Sequence, residues 1–305
     1  MPTTTTAAVL LRHGGPDALE VRDDWQVRDP GPREVLVRVG AAGVNNTDLW
    51  TRQGAYGSAD DPDAVGGWLG PLSFPRVQGG DAAGVVVDTG SDADAHLIGR
   101  TVLVDPAVYR DESPDATPIG YLGSEIDGGF AGYLVVPADH AHDVSDSPLT
   151  VAELACLPVA YGTATRMLRR AGVSTGDVVL VTGASGGVGG ALVQLARALG
   201  ATVVAVTTSA KAAAVTRVGA DHVVLRDEPG LAAQVREVAP AGVDVVTDVV
   251  GGPGVAELLP VLREDGRWVI AGAIAGPVVQ LDLRRLYLSG LSLIVGHVGT
   301  IVLLP

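Results

Sequence analysis

Eight consecutive residues, TGASGGVG at 182–189, carry the most specific chemistry in the sequence. They lie between a strand-like run, DVVLVTG, and a run that reads as a helix from Gly187 to Leu199. Small residues at such a junction let backbone N–H groups approach a pyrophosphate at the helix N-terminus. Gly186 and Gly189 match the second and third glycines of G-x-G-x-x-G, with Ala184 in the first position and Gly187 and Val188 between them. A glycine-rich turn without a ligand is the alternative; the strand before and the helix after favour dinucleotide binding. A second cluster, Thr207, Thr208, Ser209, Ala210 and Lys211, ends the next strand-like run. A site built for a ribose diol presents Asp or Glu there. Hydroxyls with a cation suit a 2′-phosphate, so NADPH (NADP+) is the expected cofactor, with Thr207, Ser209 and Lys211 as contacts. The same residues also suit the cap and first turn of a helix, and the two roles are compatible.

These residues need a sheet to hold them. From about residue 150, helical runs alternate with TVVAVT, DHVVL, VDVVTDVV, RWVIAGA and SLIV. Continuous Val/Ile/Ala strands with short crossovers make a parallel sheet covered on both faces. Thr150 and Glu153 have capping-box spacing, so a helix opens there and marks a domain boundary. Ahead of it, EVLVRVGAAGV, AAGVVVDTG, RTVLVDPAV and FAGYLVVPA are separated by Gly, Pro and Asp, which predicts a compact, mostly antiparallel β domain. A chain of 305 residues supports two such cores.

Lys and Arg number 21 against 35 Asp and Glu, a net charge of −14, which repels phosphate backbones and anionic membranes. No nucleic-acid or membrane partner is expected. No run reaches the ~20 apolar residues of a membrane span, and the N-terminal residues lack the apolar region of a signal peptide. Cys156 stands alone, which excludes an intrachain disulfide and a Cys-based zinc cluster and fits a reducing cytoplasm. It reads as a small buried side chain.

The glycine loop also fits T-G-x-x-x-G-x-G, a pattern of short-chain dehydrogenases, which work through a Tyr-x-x-x-Lys pair. Lys211 is the sole lysine and Thr207 stands four residues before it, so that reading fails. The sequence instead resembles the medium-chain dehydrogenase/reductase superfamily, in its zinc-free quinone oxidoreductase-like branch. The resemblance runs through GAAGVNNTDLW (40–50), QGGDAAGVV (78–86), LGSEIDGGFAGYLVVPA (122–138), LPVAYGTA (157–164), the glycine loop, DVVGG (248–252) and GHVGTIVLLP (296–305). It implies a GroES-like, mostly antiparallel β domain over 1–149, which 297–305 can rejoin, followed by a doubly wound Rossmann NADPH-binding domain over 150–296.

Zinc-dependent members of the superfamily hold a catalytic zinc with a Cys, a His and a Cys. The corresponding positions here are Asn45, Gly80 and Ala155, with Cys156 one place off. A single amide is no zinc site, and the structural four-Cys lobe is missing, so no metal is expected. His140 and His142, read at i and i+2 of an exposed strand, lack a third ligand. Without zinc, the oxygen that gains charge during hydride transfer needs hydroxyl or amide donors. VNNTDLWTRQGAY supplies Asn45, Thr47 and Tyr56. By resemblance, Asn45 and Asp48 are the N-x-x-D pair of quinone oxidoreductases, and Thr47 falls where zinc alcohol dehydrogenases keep a proton-relay hydroxyl.

Tyr56 or Thr47 is therefore assigned as the oxygen-side donor, Asn45 as orienting substrate or nicotinamide, and Asp48 as structural. Tyr56 as a plain surface-loop tyrosine is the alternative. Thr163 resembles a nicotinamide-contacting position with Tyr161 beside it, and Asp81 replaces the acid of a G-H-E motif behind the site. The stretch Ser58 to Leu72, with three aspartates and Trp68, either borders the substrate or is a solvated acidic loop. The expected activity is NADPH-dependent reduction of quinones or α,β-unsaturated carbonyls. A catalytically weak NADPH-binding sensor or scaffold is the alternative from another class, and a zinc-type alcohol dehydrogenase is a third reading that the missing ligands disfavour.

The apolar run Leu291 to Val295 reads as the edge strand of the nucleotide-binding sheet, through which relatives dimerise, and a homodimer is expected. In relatives this strand is followed by a helix, a strand and another helix before the terminal motif matching His297 to Leu303. Here only Val295 and Gly296 separate Ile294 from His297, so the C-terminal family segment reads as shortened. Two residues span at most about 7 Å. Residues 298–304 should then pair locally or drag the last strand with them.

Overall fold

The computed structural model describes residues 3–57, 65–110 and 118–296. The chain folds into two compact units that divide between Val159 and Ala160.

The first unit holds a five-stranded antiparallel sheet with the spatial order Ala141–Asp143, Thr101–Val104, Ala83–Thr89, Glu34–Ala41, Tyr133–Pro137. Val35, Val37, Val86, Val102, Val104, Leu134 and Val136 supply its core, so the Val-rich runs form strands where they bury alternate residues. A three-stranded sheet, Leu19–Val27, Thr3–Leu10, Arg76–Val77, stands beside it. Its hairpin is not apparent in the sequence: Leu19–Val27 carries three acids and an arginine, and only Val27 is buried. Thr3–Leu10 contributes Ala7 and Val9 to the core and the second strand covers its edge.

The helix Val151–Leu154 has the expected capping box, with the Thr150 N–H donating to Glu153 Oε2 at 2.8 Å and the Glu153 N–H donating to Thr150 Oγ1 at 3.3 Å. It nevertheless packs with the first unit, where Leu154 and Ala155 meet Ala83 and Leu103. The division therefore comes after Val159, later than the 149/150 boundary the capping box suggested.

The second unit is a six-stranded parallel sheet with the order His222–Leu225, Thr202–Thr207, Val178–Val181, Val243–Asp248, Leu262–Ile270, Ser292–Val295. Counted along the chain this is 3-2-1-4-5-6, the order of dinucleotide-binding sheets. Val179, Val181, Val203 and Ala205 pack on one face against Met167, Leu168, Leu192 and Ala196 of the helices Pro158–Arg170 and Gly187–Ala198. Leu180, Val204 and Val246 pack on the other against Val235, Val255 and Leu258. Both faces being dry explains why these strands read as unbroken apolar runs.

Ser292–Val295 lies at the sheet edge in parallel register with Arg267–Ile270, and Leu293 and Val295 are exposed there. Residues 297–305, on which the expectation for the terminal strand falls, lie outside the described residues, as do 58–64 of the acidic stretch. Among the described residues no helix is long and apolar enough to cross a membrane.

Candidate active site

Helix Asn46–Gln53 of the first unit positions the hydroxyls. Thr47 is in its first turn, and the helix ends at Gly54, whose φ of +70° only glycine adopts without strain. The chain turns back there, the Tyr56 ring rests 5.5 Å from that of Trp50, and the Tyr56 hydroxyl donates to Thr47 Oγ1 at 2.7 Å. Burial pushes the Tyr56 hydroxyl up to about 12, partly offset by the bond to Thr47. The two candidate donors are thus one pair, in which the Tyr56 hydroxyl donates a hydrogen bond and the Thr47 hydroxyl accepts it.

Behind this pair lie two buried carboxylates. Asp48 Oδ2 accepts the Asn45 N–H at 2.7 Å, its Oδ1 accepts the Gly80 N–H at 3.0 Å, and Gln78 Nε2 donates to its backbone carbonyl at 2.9 Å. Asp81 Oδ2 accepts from Asn45 Nδ2 at 2.8 Å, and its Oδ1 accepts the Val159 N–H at 2.8 Å. Burial pushes each carboxyl up to about 6, and the donated bonds oppose the rise. Asp48 accordingly has the structural place the sequence suggested. The Asn45 amide is committed to Asp81 and is itself a positioned group.

The side-chain space at Gly80, where zinc-dependent relatives carry a ligand, is taken by Tyr121. A Cβ on Gly80 would overlap the hydroxyl of Tyr121, and one on Gly43 would stand 2.5 Å from Asp81 Oδ2 and 2.8 Å from the Ala155 carbonyl. Backbone, Asp81 and the Tyr121 ring therefore close the space beside Gly43 and Gly80. Tyr121 is fully buried, its hydroxyl has no hydrogen-bond partner, and burial holds it well above the ordinary tyrosine range. Cys156 does not reach this space. It is exposed, contrary to the buried reading, because Ala155 faces the core and turns the next residue outward. Among the described residues no three His, Cys, Asp or Glu side chains could hold a metal ion. His140 sits in a short 3-10 turn and only His142 is on the strand; both are half-buried over Asp105, not solvent-exposed. The donor set does not fit zinc.

In the second unit the glycine loop turns at Gly183, φ +59°, one residue before the Ala184 assigned to the tight-turn position. A Cβ on Gly189 would overlap the Gly183 carbonyl oxygen, so the helix can start this close to the strand only with glycine there. No side chain caps helix Gly187–Ala198, so its first N–H groups, Val188 and Gly189 among them, remain for a ligand. Ala184, Gly186, Gly187, Tyr161 and Lys211 line one cavity of about 350 Å³. The residues fit a dinucleotide phosphate, and Lys211 shares the cavity with the loop. Thr163 is buried on the same helix as Tyr161, and of the two Tyr161 lines the cavity. Thr207 is buried with its hydroxyl unpartnered. Ser209 is not a free donor: both its N–H and its hydroxyl donate to Asp227.

Sequence reasoning missed Gly183, Tyr121, Asp227 and Asp248. Asp248 is buried and latches the loop: its Oδ1 accepts from the Thr182 hydroxyl at 2.6 Å and the Val250 N–H at 2.8 Å. The DVVGG motif carried the signal for Asp248 but not its partner. The described end of the acidic stretch is tied down, with the Trp68 N–H donating to Ser124 Oγ at 3.0 Å and the Trp68 ring 5.1 Å from that of Tyr121.

Residues 31–146 match the family of the alcohol dehydrogenase GroES-like domain, and residues 187–302 match that of zinc-binding dehydrogenases. Human quinone oxidoreductase is 30% identical over 270 residues, 88% of this chain and 73% of that protein. An NAD-dependent alcohol dehydrogenase of Sulfolobus acidocaldarius is 32% identical over 298 residues, 93% of this chain and 82% of that one. The crystal structure of a putative alcohol dehydrogenase from Sinorhizobium meliloti 1021 superposes with a TM-score of 0.94 at 47% identity, covering 98% of this chain and 84% of that one.

Proposed function

The chain belongs to the medium-chain dehydrogenase/reductase superfamily, and on that premise we propose that it is an NADPH-dependent, zinc-independent oxidoreductase that passes hydride to a quinone or an α,β-unsaturated carbonyl. The observation that carries this reading is the Tyr56–Thr47 hydroxyl pair, together with Gly80, a residue with no ligating side chain, whose side-chain space Tyr121 fills. A bound nicotinamide supplies the hydride. The Thr47 hydroxyl donates to the substrate oxygen as charge develops, Tyr56 polarises Thr47, and Asp48 and Asp81 hold the helix start and Asn45 in place. The glycine loop and Lys211 support dinucleotide binding. Alcohol oxidation is the second reading, favoured by the names of several relatives.

Turnover separates the two. NADPH consumption is measured with a simple quinone and with an enone, and NADP+ reduction with primary and secondary alcohols. Reduction of the quinone or the enone well above alcohol oxidation supports the proposal; alcohol oxidation alone contradicts it.

Two further outcomes follow from the same reading. NADPH is expected to bind at least about tenfold tighter than NADH, about 1.4 kcal/mol, and Lys211→Glu should reverse the preference by placing a like charge against the 2′-phosphate. Equal dissociation constants for the two cofactors in fluorescence titrations would refute this. Among the described residues the strand Ser292–Val295 is the edge of its sheet, and it offers the exposed Leu293 and Val295 to a second copy. Light scattering should return twice 31.0 kDa; the single-chain mass at micromolar concentration would refute the dimer.

A further inference from the structure

Asp227 is absent from the end-of-strand cluster that the sequence offers to the cofactor, yet the fold brings it there. The strands Thr202–Thr207 and His222–Leu225 run parallel with Leu225 opposite Thr207, and the Arg226 N–H donates to the Thr207 carbonyl at 2.9 Å. Both strands end level, so Asp227 meets the turn Thr208–Lys211. Its Oδ1 and Oδ2 accept the Ser209 N–H at 3.0 and 3.1 Å, and its Oδ2 accepts the Ser209 hydroxyl at 2.7 Å. Those donated bonds hold the Asp227 carboxyl below the usual carboxylate range. Asp227, Arg226 and Lys211 are all exposed, and Lys211 lines the cavity bordered by the glycine loop.

We infer that Asp227 is a specificity-determining residue that opposes Lys211 and sets how far the chain prefers NADPH over NADH. The inference rests on the dinucleotide reading of the glycine loop. A 2′-phosphate needs donors and cations, whereas a ribose diol offers donors and needs an acceptor. Ser209 presents an N–H and a hydroxyl on one residue, and both are committed to a carboxylate. A phosphate can claim Ser209 only by displacing Asp227 or by lying against its charge. A diol can instead donate to Asp227 without moving it. Lys211 and Arg226 attract the phosphate, and Asp227, with Glu228 next to it in the chain, opposes them. The two signs of charge come from different strand ends, so the balance between them fixes the ratio of affinities.

Asp227→Asn tests this while keeping an acceptor for Ser209. In fluorescence titrations at low salt, the NADPH dissociation constant should fall about fivefold, the size expected for removing one exposed like charge at close range. The NADH constant should stay the same or rise, and the gain for NADPH should shrink as ionic strength increases. Asp227→Ala, which also frees both Ser209 donors, should move the ratio at least as far. An unchanged NADPH-to-NADH ratio in both variants, with both cofactors still bound, overturns the role of Asp227 alone. Failure of the unaltered protein to bind either cofactor overturns the dinucleotide reading together with it.

Discussion

Asp48→Ala is expected to cost about 3 kcal/mol of stability at neutral pH, among the larger effects of any single substitution in the first unit. The carboxylate is buried and takes the N–H groups of Asn45 and Gly80, which lie on segments far apart in sequence. Truncation leaves both donors dry and unpaired, and the loop that carries Gly80 loses its tie to the start of helix Asn46–Gln53. Urea unfolding measures the loss; a change below about 1 kcal/mol would mean that the two N–H groups find water or other partners.

The pH dependence gives the same site a second signature. Asp48 and Asp81 titrate near 6 in the folded chain against an ordinary value of 3.8. The folded state therefore holds these protons more tightly than the unfolded one. The proton-linked stability each adds on top of its hydrogen bonds is fully present below about pH 4 and is lost as pH rises through 6. Exposed carboxyls held low by their partners, such as Asp143 and Glu153, act in the opposite direction. The difference between the unaltered protein and Asp81→Asn cancels them. The penalty of Asp81→Asn should shrink by about 2 kcal/mol between pH 4 and pH 7; a constant or growing penalty would contradict the burial argument.

Gly80→His, which restores the zinc-ligand residue of metal-dependent relatives, is expected to damage this chain. The new Cβ must displace the Tyr121 ring, which is fully buried and packed against Trp68. Overpacking of a rigid site costs about 3 kcal/mol or less when the neighbours can give, and here the neighbours are the hydroxyl and ring atoms of a buried tyrosine. Thermal unfolding should show a clear loss, and zinc titration should show no stoichiometric binding. Pairing the change with Tyr121→Ala removes the overlap and should recover part of the loss relative to Gly80→His alone. A Gly80→His variant as stable as the parent would show that Tyr121 does not close the position.

The second unit was largely legible because its signals are local. Val-rich runs such as VVLV and TVVAVT are strands at the expected places, and in the first unit the equally local Thr150–Glu153 spacing opens a helix. The glycine loop was located correctly, but counting glycines put Ala184 where the backbone turns at Gly183, since the pattern records residue types and not φ. What stayed hidden depends on contacts across long sequence separations. Gly80 reaches Asp48, Val159 reaches Asp81, and Tyr121 fills the space over Gly80 from a strand of its own. Ser209 reads as a free hydroxyl until the neighbouring strand brings Asp227 to it. Leu19–Val27 was missed because a mostly exposed strand carries charges and lacks an apolar alternation.

The central claim, a dehydrogenase fold of this superfamily that works with hydroxyls where relatives use a metal, is tested most directly by one measurement: NADPH-dependent reduction of the preferred quinone or enone before and after exhaustive chelation, with zinc determined by elemental analysis on the same samples. An unchanged rate and far less than one zinc per chain are expected. A rate that is lost on chelation and restored by zinc, with stoichiometric metal in the untreated protein, would contradict that claim.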